Sequence, residues 1–273
     1  MIVKKSYKIL LNIFILSYLL IIKIQCLKLN IGLIKESNVI EIRSTDYQSI
    51  GPLGKDHDYY VLENGDQYDG KFVNGLANDT KGLYYFKDKP TYYCGEFKDG
   101  KIEGRGFYYR KRLAIPRYTI YKGEFRDGMA DGKGLYTYKN GDKYKGEFRK
   151  SKREGKGEYE WNKKNNNNKE LITPYLFKGY FENDNFGEFG TYFYTNGDKY
   201  IGRLKDGKKH GKGTYYFEDG DRYEGDFKND KREGSGVYYW KDGDMDMGDY
   251  LNDKEVGMHV IVHANGQVTQ KYY

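Results

Sequence analysis

Apolar and polar residues alternate along this chain with a period of two. Tyr121, Gly123 and Phe125 alternate with Lys122, Glu124 and Arg126, and Gly134, Tyr136 and Tyr138 alternate with Leu135, Thr137 and Lys139. That spacing predicts two strands. The Asn140-Gly141 step that follows is a strong hairpin signal and predicts a turn with positive φ at both central residues. The same step recurs as Asn64-Gly65, Asn196-Gly197, Asp219-Gly220, Asp242-Gly243 and Asn265-Gly266. A glycine-rich loop such as 127–132 is expected to join the strands at the other edge. Equivalent glycines sit at Gly70, Gly95, Gly123, Gly146, Gly179, Gly202, Gly225 and Gly248, separated by 25, 28, 23, 33, 23, 23 and 23 residues. A period near 23 with insertions at three joints is that of a repeat array, whose functional asset is an extended surface and not a catalytic pocket.

The phrase that repeats, written Y-K-G-E-F-R-D-G-M-A-D-G-K-G-L-Y at residues 121–136, resembles the MORN repeat, Y-x-G-x-[W/F]-x-x-G-x-x-x-G-x-G. The resemblance runs from Tyr68 to about Gln270 in about eight copies, and Tyr59 to Gln67 looks like a preceding half copy, so the array occupies 59–270. Copies depart from the pattern at Asp79, around Phe186 to Gly190, and in the last repeat, where Asp246 replaces the leading aromatic and His259 the final glycine. Irregular terminal copies suit a cap. The resemblance implies an assembly or membrane-tethering module, and direct phospholipid binding is the role from which the family takes its name.

Successive strand residues face opposite sides of a sheet. One face collects Tyr121, Phe125, Tyr136 and Tyr138 with their glycines, while the other collects charge, such as Lys122, Glu124, Lys145 and Glu147. The glycines leave room for rings to lie against the backbone. The expected fold is all-β: an elongated, twisted, single-layer antiparallel sheet of tandem β-hairpins. No amphipathic helix after residue 30 is available to cover the aromatic face, which must curl onto itself, dimerise or receive a partner.

Residues 1–26 have a different character. Lys4, Lys5 and Lys8 precede an apolar run from Ile9 to Ile22 that Lys23 ends. This fits a cleaved signal peptide, with an uncleaved signal-anchor as the alternative. The first places the repeats on the secretory route, extracellular, luminal or vacuolar; the second anchors them at a membrane. Those four lysines supply +4 of the formal net charge of +7, so the rest of the chain is only mildly basic and its charge does not argue for nucleic acid. Of two cysteines, Cys26 falls at the end of this segment, which leaves Cys94 without an internal disulfide partner if the segment is removed. Residues 27–58 read as a lead-in or cap without a repeat. Insertions near 111–119 and 162–174 are expected to bulge out, the second as a polar loop with four asparagines between lysines.

No catalytic constellation, cofactor motif or metal-ligand spacing stands out, and the chain reads as non-enzymatic. His57, His210, His259 and His263 read as solvated surface side chains, since a zinc site needs three or four converging ligands. Asp242, Asp244 and Asp246 lack the glycine and glutamate of a calcium loop. Two surfaces remain as candidates. Rings at Tyr136, Tyr159, Trp161, Tyr238 and Trp240 could hold a protein segment or a second copy. Lys150, Lys152, Arg153, Lys208, Lys209, Lys231 and Arg232 line one loop edge, where they either suppress edge association or contact phospholipid head groups.

Overall fold

In a computed structural model of the protein, the described residues are 47–54, 57–62, 64–87, 91–111, 118–162 and 172–273. Residues 1–46 lie outside them, as do most of the two insertions, so the expectations for the leader and for the inserted loops are not addressed. The chain divides into two compact units, one ending at Lys139 and one running from Asn140 to Tyr273.

The first unit contains β1 (Tyr47–Gly54), β2 (His57–Leu62), β3 (Gln67–Gly70), the short β4 (Phe72–Val73) and β5 (Leu76–Ala77), then β6 (Asp79–Phe86), β7 (Thr91–Lys98), β8 (Lys101–Lys111), β9 (Tyr118–Arg126) and β10 (Met129–Thr137). Apart from the separate β4–β5 pair, each strand pairs antiparallel with the next in sequence. β1 lies within the lead-in and pairs with β2, which runs on into the half copy. The second unit contains β11 (Lys143–Arg149), β12 (Lys152–Glu160), β13 (Pro174–Glu182), β14 (Asn185–Tyr194), β15 (Lys199–Lys205), β16 (Lys208–Tyr216), β17 (Arg222–Lys228), β18 (Lys231–Tyr239), β19 (Met245–Leu251), β20 (Lys254–Val262) and β21 (Val268–Tyr272). It too is an unbroken antiparallel meander. The protein is therefore all-β, built from tandem hairpins in antiparallel register.

Glycine pairs with glycine across almost every joint. Gly146 opposes Gly157, which opposes Gly179, and the series continues through Gly190, Gly202, Gly213, Gly225 and Gly236 to Gly248. The leading ring of each regular hairpin, a tyrosine except for Phe177, lies over this bare backbone. A Cβ on Gly146 would overlap the Tyr144 hydroxyl and come within 2.7 Å of the Gly157 Cα. With its ring so placed, the tyrosine donates its hydroxyl to the carbonyl three residues on: Tyr93 to Glu96 at 3.1 Å, Tyr121 to Glu124 at 3.0 Å, Tyr144 to Glu147 at 2.9 Å and Tyr200 to Arg203 at 2.7 Å. These rings are fully buried. Tyr93 and Tyr144 also meet the phenylalanine of their own hairpin and of the next edge-on, as Tyr144 meets Phe148 at 5.1 Å and Phe181 at 4.8 Å. Such pairs contribute about 0.5–1.5 kcal/mol each beyond area burial.

The turns differ from the expected ones. At the six predicted hairpin steps, Asn64-Gly65, Asn140-Gly141, Asn196-Gly197, Asp219-Gly220, Asp242-Gly243 and Asn265-Gly266, the positive φ falls on glycine alone, as at Gly141 (φ 89°) and Gly220 (φ 104°). The Gly220 amide donates to the Phe217 carbonyl at 3.2 Å and the Phe217 amide to that of Asp221 at 3.0 Å, a type I turn closed by a glycine bulge. The side chain before the glycine explains the choice: Asn140 Oδ1 accepts the Asp142 amide at 3.1 Å, holding the turn without a left-handed Asn. The turns with two positive φ values sit at the other edge instead, where the predicted glycine-rich loop is a two-residue turn such as Asp127-Gly128 (φ 49° and 73°). Four of these turns in the second unit carry no glycine: Lys150-Ser151, Asn183-Asp184, Asn229-Asp230 and Asn252-Asp253.

Candidate functional site

The ring face of the second unit carries two rows. The first, of leading tyrosines and phenylalanines, is buried. The second comes from β14, β16 and β18 with the residues just beyond their ends, and is half-buried. Its centroids follow one another from Tyr194 to Tyr215 (5.6 Å), Phe217 (4.8 Å), Tyr238 (5.6 Å) and Trp240 (5.2 Å). Within one strand the rings are two residues apart and so share a face; between strands, the 23-residue period puts them in line.

An aspartate in each turn anchors this row. Tyr159 donates to Asp142 at 2.8 Å, Tyr215 to Asp198 at 2.6 Å and Tyr238 to Asp221 at 2.7 Å. The same carboxylates accept backbone amides from the strand ends of the following hairpin: Asp142 from Asn162, Asp198 from Glu218 and Asp221 from Lys241. Burial, and next the hydrogen bond to Asp198, push the Tyr215 hydroxyl well above its ordinary range, and burial followed by Asp221 does so for Tyr238. The candidate rings are therefore placed as follows. Tyr159 and Tyr238 are tied to turn aspartates. Trp161 stacks on Phe186 at 6.0 Å, Trp240 leans on Tyr238, and Tyr136 lies in the first unit against Tyr138 at 4.3 Å. Tyr136 is not part of the second unit's row.

The cations at the loop edge divide between the two faces. Lys152, Lys208 and Lys231 are exposed, and Lys152 and Lys231 donate to Asn183 and Asn252 of the next turn at 3.1 and 3.3 Å. Lys150 occupies a left-handed turn position (φ 47°). Arg153, Lys209 and Arg232 instead fold onto the rings. Lys209 Nζ lies 4.6 Å from the centroid of Tyr215 and 5.6–5.8 Å from those of Tyr194, Tyr200 and Phe227. Burial holds its ammonium below the usual lysine range, opposed by Asp230. Arg153 lies over Tyr144, Tyr159 and Phe181 and donates to the Asp184 carbonyl; Arg232 lies over Tyr223 and Tyr250 and donates to the Asp253 carbonyl at 2.6 Å. The corresponding residue in the irregular repeat is Phe186, whose ring meets Phe177 at 4.8 Å and Phe181 at 5.3 Å. This position therefore fills the space above the first row of rings. Sequence spacing grouped its cations with their exposed neighbours because alternation across the intervening bulge is invisible without the ladder.

One histidine reading is corrected. His259 is fully buried, not solvated, and His263 is half-buried on Asp244 at 2.6 Å. Among the described residues, no group of three or more His, Cys, Asp or Glu side chains is arranged to hold a metal ion.

The family model of the MORN repeat matches residues 93–111, 121–143, 144–165, 177–199, 200–222 and 223–245. No protein among the curated relatives matches. Solved structures that resemble the chain include the TCP10 domain of Danio rerio CPAP, at 12% identity and a TM-score of 0.37, covering 83% of this chain and 89% of that one. Another is the Drosophila melanogaster SAS-4 TCP domain in complex with a proline-rich motif of Ana2, at 11% identity and a TM-score of 0.23, covering 88% and 97%. Likeness at that level carries no functional information.

Proposed function

Because this chain belongs to the MORN-repeat family, we propose that it is a non-enzymatic scaffold that binds a protein segment on the ring face of its second unit. The observation that carries this reading is the half-buried row from Tyr194 to Trp240. The first row of rings is spent on the fold, whereas the second keeps one side open after Tyr215 and Tyr238 have found their aspartates. Half-buried aromatic side chains on a rigid strand scaffold supply contact area at low entropic cost. The alternative is a phospholipid-binding edge. Of the seven cations considered for it, Arg153, Lys209 and Arg232 are committed to the rings, which leaves Lys150, Lys152, Lys208 and Lys231. We further propose that the partner is met on the secretory route, on the strength of residues 1–26.

Trp240→Ala and Phe217→Ala test the scaffold reading. Each should abolish capture of a specific native protein while shifting the melting temperature little. Capture unchanged in both variants would overturn the reading. Sedimentation with anionic vesicles at low and high salt tests the alternative, since binding through lysines must weaken as salt rises.

A further inference from the structure

A cavity of about 520 Å³ opens on the ring face of the second unit, between β16 and β18. Its apolar floor is Tyr215, Phe217, Tyr223 and Phe227. Lys209 and Arg232 reach into it from the loop edge, but five carboxylates also line it, giving a net charge of −3. The two cations are already satisfied within the unit, Lys209 by four rings and Arg232 by two rings and the Asp253 carbonyl. The loop-edge carboxylates are committed as well: Asp230 accepts the Lys209 amide at 2.9 Å and Asp253 the Arg232 amide at 2.8 Å. The turn edge differs. Glu218 and Asp219 are exposed beside Phe217, and among the described residues Asp219 uses one oxygen, on the Asp221 amide at 3.1 Å.

The protein itself shows what such a ring frame accepts. In the frame of Tyr194, Tyr200, Tyr215 and Phe227 it places its own ammonium, Lys209. One repeat on, the equivalent frame of Phe217, Tyr223, Tyr238 and Tyr250 holds Arg232, over Tyr223 and Tyr250. Among the described residues no cation of the protein lies over Phe217, the one ring of the cavity floor that Lys209 and Arg232 leave open. A ring face attracts a cation through its quadrupole, and neighbouring carboxylates add to that attraction. We propose that this cavity receives an extended segment of a partner protein bearing lysine or arginine, whose cationic side chain lies over Phe217 beside Glu218 and Asp219. This rests on the scaffold reading and specifies its partner as a basic one.

Fluorescence anisotropy with the full chain tests it, using three labelled peptides of equal length that carry lysine and arginine, glutamine, or glutamate at the same positions. The basic peptide should bind, the glutamine and glutamate peptides should not, and binding should fall with added salt. Glu218→Lys with Asp219→Lys should weaken it about tenfold or more, as should Phe217→Ala. Glu182→Lys with Glu188→Lys, exposed and away from the cavity, should leave it unchanged. Basic-peptide binding that responds equally to both charge reversals would be diffuse electrostatics and would overturn the inference. Glutamine and basic peptides binding alike, or no peptide binding while Trp240-dependent capture of a native protein persists, would overturn the basic-partner inference and leave the scaffold reading standing. Failure of both peptide binding and capture would remove both. A dimer in analytical ultracentrifugation that Phe217→Ala abolishes would identify a second copy as the occupant and likewise overturn it.

Discussion

His259 and Asp246 together rebuild a missing tyrosine. His259 Nδ1 lies 2.8 Å from Asp246 Oδ1, and Nε2 donates to the Asp249 carbonyl at 2.9 Å. In the regular repeats the leading tyrosine occupies the position of Asp246, a glycine that of His259, and the tyrosine hydroxyl donates to the carbonyl equivalent to that of Asp249, as Tyr223 does to Asp226 at 3.3 Å. The imidazole comes from the opposite strand and lies over Gly248, where a Cβ would overlap its ring. Both substituents are buried, at 0% and 3% exposure, and neither makes sense without the other.

This relationship predicts strong coupling. His259→Gly alone leaves a cavity and a buried carboxylate without its partner, and should cost about 3–5 kcal/mol. Asp246→Tyr alone drives a ring into the imidazole and should cost about 1–3 kcal/mol. The double variant restores the regular repeat and should recover most of the loss. Urea unfolding of the four proteins reads the cycle, and simple additivity would refute the exchange.

The glycine ladder makes a sharper demand than composition suggests. Gly146→Val places bulk against Tyr144 and the Gly157 backbone, so it should lower stability by about 2–4 kcal/mol. Lys145→Ala, on an exposed side chain one residue away, should stay within about 0.5 kcal/mol. Equal melting temperatures for the two would contradict the face assignment.

Two left-handed turn positions should respond with opposite sign to glycine. Asp206 has φ 52° and its side chain makes no hydrogen bond among the described residues, so Asp206→Gly relieves a strain of about 1 kcal/mol. Asp230 has φ 74°, but its carboxylate accepts the Lys209 amide of the preceding hairpin, so Asp230→Gly trades relief for a lost charge-assisted hydrogen bond and should destabilise by about 1 kcal/mol. Chemical denaturation of both variants decides the point.

Stability should fall in alkali. Burial raises the hydroxyls of Tyr200, Tyr215, Tyr238 and Tyr250 above their ordinary value near 10, and pushes Tyr223 up to about 12. The folded state holds these protons more tightly than the unfolded chain. Their stabilisation is complete below about pH 10 and is lost as pH rises through the folded values. Lys209, depressed by burial, acts in the opposite direction and lower, as pH rises toward the ordinary lysine value, and is one group against several. Melting temperatures from pH 8 to 12 should stay level to about pH 10 and then drop; a flat profile to pH 12 would show that the rings are not held neutral by burial.

Much of the site was legible in part. The rings at Tyr159, Tyr238 and Trp240 could be placed on one face from alternation alone. That Tyr159 and Tyr238 end on Asp142 and Asp221 could not, because each hydrogen bond spans 17 residues and depends on cross-strand register. A usable signal was present: an aspartate two residues after the turn asparagine or aspartate in five of the six steps, at Asp66, Asp142, Asp198, Asp221 and Asp244, is more regular than a turn requires.

What the sequence determined by itself is local and periodic. Alternation at period two and turn steps 23 residues apart specify strands, hairpins and a common face, since side-chain direction in a strand is a property of the backbone. What the tertiary structure decided is everything that crosses a bulge or joins two strands. The register steps from Gly146/Gly157 to Glu147/Glu154, skipping two residues on β12, and only then does Arg153 emerge on the ring face beside Phe148. The Asn-Gly turns took a different type from the expected one because a side chain such as Asn140 caps its own turn on the Asp142 amide and leaves the left-handed position to the glycine. Asp246 and His259, two separate irregularities 13 residues apart in the chain, became one buried pair because hydrogen-bonded strands bring distant positions within 3 Å.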